Sequence, residues 1–77
     1  MDFQQVLTNI ARAIVDNPDS VNVAMTEDGD DITLVLTVAD GDTGMVIGHQ
    51  GKIAKAIRSI MKAAGSTCGK RVIVEIQ

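Results

Sequence analysis

Between Val21 and Val38 apolar residues recur at every second position in two runs, separated by a short, strongly charged stretch. Val21, Val23 and Met25 form the first run, with Asn22, Ala24 and Thr26 between them. Ile32, Leu34, Leu36 and Val38 form the second, with Thr33, Val35 and Thr37 between them. A period of two belongs to a strand with one buried face. Glu27-Asp28-Gly29-Asp30-Asp31 reads as a turn, so the two runs are expected to pair as an antiparallel hairpin.

Helical periods flank this hairpin. Phe3, Val6, Leu7, Ile10 and Ile14 predict a helix from residue 3 to about 15, which Asp16-Asn17-Pro18-Asp19 ends. After Ala39-Asp40-Gly41, either Asp42 or Thr43 is suited to cap a short helix from Gly44 to Ile47. Gly48-His49-Gln50-Gly51 interrupts it. From Lys52 to about Ala64 a second, clearer helix follows. Ile53, Ala56, Ile57, Ile60 and Ala64 give it an apolar stripe, and Lys52, Lys55, Arg58 and Lys62 a basic one. Residues 65–70 read as a loop, and Arg71 to Ile76 as a last strand. The helical pair is long enough for a crossover, which lets strands two and three lie parallel. The expected class is α+β: α-β-β-α-α-β, a three-stranded mixed sheet covered on one face by three helices. Residues 1–77 are read as a single domain. The four methionines form no stripe; Met25 and Met61 are expected to fill the core, and Met45 to lie partly exposed.

Several functions are excluded at this level. A domain of 77 residues buries only about 60% of its unfolded surface, which leaves little room for a deep catalytic pocket. One cysteine forms neither an internal disulfide nor a cysteine-based zinc site, and Cys68 reads as an inert loop residue. His49 has no evident nucleophile to serve, so no enzyme is expected, and no cofactor or metal. Phe3 is the only aromatic residue, which argues against modules that stack bases on aromatic rings. No apolar run approaches the length of a membrane span, and the N-terminus lacks the pattern of a signal peptide. With a lone thiol, this points to the cytoplasm.

The charge is divided. Residues 1–43 carry nine acids and Arg12, a balance of −8; residues 44–77 carry six bases and Glu75, a balance of +5. Gly48-His49-Gln50-Gly51 lies at the head of the basic half. Glycine permits positive φ and close approach of a ligand to the backbone. The helix that follows presents unpaired N–H groups and the positive end of its dipole, where a phosphate can sit. Lys52, Lys55 and Arg58 add charge, while Val46, Ile47 and Ile53 are placed to floor a groove for bases. Gly41-Asp42-Thr43-Gly44 has the same glycine spacing without the basic helix. Val46 and Ile53 stand where a Walker A loop needs Gly and Ser or Thr. Asp28-Gly29-Asp30-Asp31 is too short for a calcium loop.

Val46-Ile47-Gly48-His49-Gln50-Gly51-Lys52-Ile53 resembles the signature of a KH domain, whose GXXG loop clamps about four nucleotides by their backbone. The element order resembles the type II, prokaryotic arrangement. Over the whole chain, residues 48–58 and Gly69-Lys70-Arg71-Val72 resemble the KhpA family of small bacterial KH proteins. The resemblance implies binding of single-stranded RNA in the cytoplasm, as an RNA chaperone or post-transcriptional regulator. It also implies a homodimer, or a heteromer with a larger KhpB-like protein. In it His49 and Gln50 meet phosphates or sugars, and Lys70 and Arg71 close the far side of the groove. Such loops usually carry Lys or Arg between the glycines; here the pair is His49-Gln50. Since a free imidazole is mostly neutral at pH 7, RNA affinity is expected to rise in acid. The competing reading is a protein-interaction or dimerisation module whose partner supplies most of the RNA affinity.

Overall fold

The computed structural model describes all 77 residues. Helix α1 spans Phe3–Ile14, and the Asp2 carboxylate caps it by accepting from Gln5 N–H at 3.0 Å. A 3₁₀ turn at Pro18–Ser20 leads to strand β1, Asn22–Asp28, and then β2, Asp31–Thr37. A second 3₁₀ turn, Asp40–Asp42, precedes the short helix α2, Thr43–Ile47. His49–Gly51 forms a third such turn, followed by helix α3, Lys52–Thr67, and strand β3, Arg71–Ile76.

The sheet order is β1-β2-β3, antiparallel between the first pair and parallel between the second. Val23, Ile32, Leu34, Leu36, Val72 and Val74 point to one side, where Phe3, Leu7, Ala11, Val46, Ile57 and Met61 of the three helices meet them. The opposite face carries Ala24, Thr26, Thr33, Ile73 and Glu75 and is uncovered.

Four local expectations are corrected. The hairpin turn is only Gly29-Asp30, with Gly29 at φ 61°, as a two-residue turn with glycine first requires. Glu27, Asp28 and Asp31 therefore belong to the strands. Met25 does not fill the core: it is 44% exposed, because α1 starts too late to cover that end of β1. Asp42 does not cap α2; it is buried and accepts from both Asn17 N–H (2.9 Å) and Asn17 Nδ2 (3.1 Å).

The fourth correction concerns α3, which runs past Gly65 to Thr67. Glycine serves here for close packing: a Cβ on Gly65 would lie 2.7 Å from Val72 Cγ2 and 2.8 Å from the Lys70 carbonyl. The helix ends one turn later. Gly69, at φ 70°, donates to Ser66, and Lys70 N–H reaches back to Gly65 O at 2.9 Å, the paired bonds of a Schellman motif. The core stripe of α3 is Ala54, Ile57, Met61 and Gly65, so Ile53, Ala56 and Ile60 of the expected stripe form a separate, exposed row.

Candidate nucleic-acid interface

The Gly48–Gly51 loop is bent by three residues at positive φ. Gly48 N–H ends α2 by donating to Gly44 O at 2.8 Å, and Gly48 itself sits at φ 76°, ψ 176°, a region essentially reserved for glycine. Space demands glycine there too, since a Cβ would meet Ile53 Cγ1 at 2.5 Å. Gln50 (φ 56°, ψ 27°) and Gly51 (φ 75°, ψ 14°) are both left-handed. Gly51 N–H returns to Gly48 O at 3.2 Å and closes the turn. Gln50 is the only non-glycine residue at positive φ in the molecule, and it lies at the tip of this loop. His49 and Gln50 are exposed.

Helix α3 continues from this turn, and its N-terminal N–H groups open beside the loop. Lys52, Lys55, Arg58 and Lys62 fall within an arc of about 120° on its outer face. None of the four pairs with an acid, whereas Arg12, Lys70 and Arg71 each do. Every base without an acidic partner thus lies on the one helix that follows the loop.

Arg58 lies against the sheet edge: its Nε donates to Val74 O at 3.3 Å. The outer edge of β3 is unpaired. Arg71 N–H bonds to Asp30 O and Gln77 N–H to Leu36 O, so odd-numbered residues of β3 face β2 and Val72, Val74 and Ile76 point their amides outward. The basic face of α3, through Arg58, therefore meets the open edge of β3, whose outward amides have no partner in the sheet.

The other residues singled out in the sequence do not join this arrangement in the same way. Val46 is fully buried and serves the core, the one residue of the five-residue α2 that is buried. Ile47 and Ile53 are about a third exposed beside Gly48, but Ile53 is turned roughly 140° around α3 from Arg58. Lys70 and Arg71 do not lie beside the glycine loop, since α3, about 24 Å long, separates them from it. Lys70 Nζ is 3.5 Å from both Glu27 and Asp30, and Arg71 Nε is 3.4 Å from Asp31. The strand register, which brings the start of β3 to the acidic hairpin, was not evident from charge alone. Lys62 and the open edge of β3 are additions to the sequence-based site. The helical period carried the first; the second needed the parallel pairing.

A three-stranded mixed sheet, three helices on one face, and a glycine-bracketed turn opening a basic helix together define a KH-type domain in the type II order. The chain belongs to the KhpA/KhpB KH domain family, whose sequence model matches residues 4–76. It is 51% identical over 96% of its length to the RNA-binding protein KhpA of Clostridium acetobutylicum, covering 99% of that protein. Against the RNA-binding protein KhpA of Caldanaerobacter subterraneus subsp. tengcongensis the identity is 50%, with 94% and 96% covered. The namesake in Aquifex aeolicus is 44% identical, with 96% and 94% covered. The fold also matches part of the crystal structure of Era from Aquifex aeolicus, with a TM-score of 0.68 and 20% identity, over 96% of this chain and 29% of that one. The family is one of KH domains. No helix is long and apolar enough to cross a membrane.

Proposed function

We propose that the chain binds single-stranded RNA between α3 and the free edge of β3, in the cytoplasm, as an RNA chaperone or post-transcriptional regulator. The observation that carries this reading is the gathering of all acid-free bases on the helix that follows the Gly48–Gly51 turn. The names of its relatives support it. Gly48 and Gly51 let the phosphate backbone come close; His49 and Gln50 offer polar contacts. Lys52, Lys55, Arg58 and Lys62 attract the following phosphates, and the outward amides of β3 face the bases. In a fluorescence anisotropy titration with random single-stranded RNA, the His49→Asp/Gln50→Asp double variant should lose binding while keeping the wild-type circular dichroism. Equal binding by both proteins would remove the loop from the site.

A second reading is self-association, or assembly with a larger KhpB-like protein. The exposed row Ile53, Ala56 and Ile60 favours it; Ile60 is half exposed in the middle of a helix. Light scattering over a dilution series tests it. An Ile60→Asp variant should stay folded and shift to monomer; a wild-type chain that is monomeric at every concentration would exclude the homodimer.

A further inference from the structure

At the end of the molecule remote from the glycine loop, the helical layer stops short of the sheet. Val23 is buried, but Met25, two residues on and facing the same side, is 44% exposed. Gln4 Nε2 donates to Val23 O, and beyond that contact no helix covers β1. A cleft of about 490 Å³ opens there, with Phe3 and Ile32 as its floor and Met25, Glu27, Asp2 and Lys70 around it.

The strand beside this cleft is an open edge. The two-residue turn pairs Asp28 with Asp31, so even-numbered residues of β1 face β2 and odd-numbered ones face outward. The Val23 carbonyl, already taken by Gln4, confirms that parity. Met25 and Glu27 therefore present backbone N–H and C=O groups outward while their side chains line the cleft. No lysine, proline or bulge guards this edge. The charge nearby is negative: Asp2, Glu27, Asp28, Asp30 and Asp31 outnumber Lys70 and Arg71, both already ion-paired.

We propose that the outer edge of β1 and the adjoining cleft form a docking site for an extended, basic segment of a partner protein. The segment adds as a strand along Met25–Glu27. It places an apolar side chain against Phe3, Met25 and Ile32, and sets its own lysines or arginines among the hairpin acids. The backbone donors give the strand its alignment, the methionine rim adapts to the inserted side chain, and the acids select charge. This surface is separate from the RNA site, so a basic partner docks here without competing for α3.

The probe is a labelled synthetic peptide of about nine residues, Lys alternating with Leu and Val, titrated into the full chain by anisotropy. The expected result is saturable binding, slower hydrogen exchange at the Met25 and Glu27 amides, and binding weaker by about tenfold or more when Glu replaces each Lys. Met25→Pro deletes an outward donor without touching the β1–β2 ladder, and Glu27→Lys reverses the local charge. Each should weaken peptide binding by a similar factor while the thermal melt by circular dichroism stays cooperative. The proposal is overturned by an absence of saturation, by equal affinity for the acidic peptide, or by exchange protection at Gly48–Lys52 in place of β1. It is overturned as well if Met25→Pro changes only self-association, because the edge would then be filled by a second copy of this chain.

Discussion

Gly48 and Gln50 carry opposite signs of strain in one turn. Gly48 is required twice, by a backbone conformation that side chains do not adopt and by Ile53, which fills the space a Cβ would take. Gly48→Ala should cost about 2–4 kcal/mol in urea unfolding, combining conformational strain with overpacking. Gly51→Ala meets nothing within 4 Å, so only its left-handed conformation is penalised, at about 1 kcal/mol. Gln50 holds a conformation better suited to glycine, and Gln50→Gly should raise stability by up to about 1 kcal/mol. If its side chain contacts RNA, the same change should weaken RNA binding, the trade expected where strain serves a site. Beside it, His49 is exposed at the head of the basic helix.

At the level of elements, α3 is where sequence and structure agree on the most and diverge most usefully. Its existence, its start after Gly51 and its basic face were all legible, because a 3.6-residue period with separated charge survives any tertiary context. Its end was not. Gly65 looks like a terminator in a one-dimensional pattern, yet it marks the closest approach of helix and strand. Gly65→Ala should therefore destabilise the fold by about 1–2 kcal/mol, even though alanine favours an isolated helix by about 1 kcal/mol. A gain in the urea midpoint would show that β3 yields easily. The apolar stripe was also ambiguous, since Ile53-Ala56-Ile60 and Ala54-Ile57-Met61 are both helically spaced and only packing chooses between them. Asp42 illustrates the same limit. Beside a short helix it reads as a cap, but a residue 25 positions away supplies its donors. Asp42→Ala should cost about 1–3 kcal/mol by leaving Asn17 unpaired, loosening the tie between the end of α1 and the start of α2.

For the whole molecule, the decisive property is the distribution of charge, not its sum. A net charge of −3 describes a poor polyanion binder, and the division into an acidic and a basic half corrects that impression. The fold refines it further. The hairpin acids take up Lys70 and Arg71, leaving α3 as the one cationic surface without an acidic partner. The sequence order α-β-β-α-α-β was readable from periodicity, whereas this neutralisation follows from the parallel register of β2 and β3. The most direct test of the account is the salt dependence of RNA affinity in three proteins. For the wild-type chain, three to four phosphate contacts predict a log–log slope of roughly −2 to −3. A variant carrying Lys52→Ala and Lys55→Ala should be shallower by about 1.4, and one carrying Lys70→Ala and Arg71→Ala should keep the wild-type slope. If the second pair flattened the slope and the first did not, the RNA would lie along the hairpin end and the assignment to α3 would be contradicted.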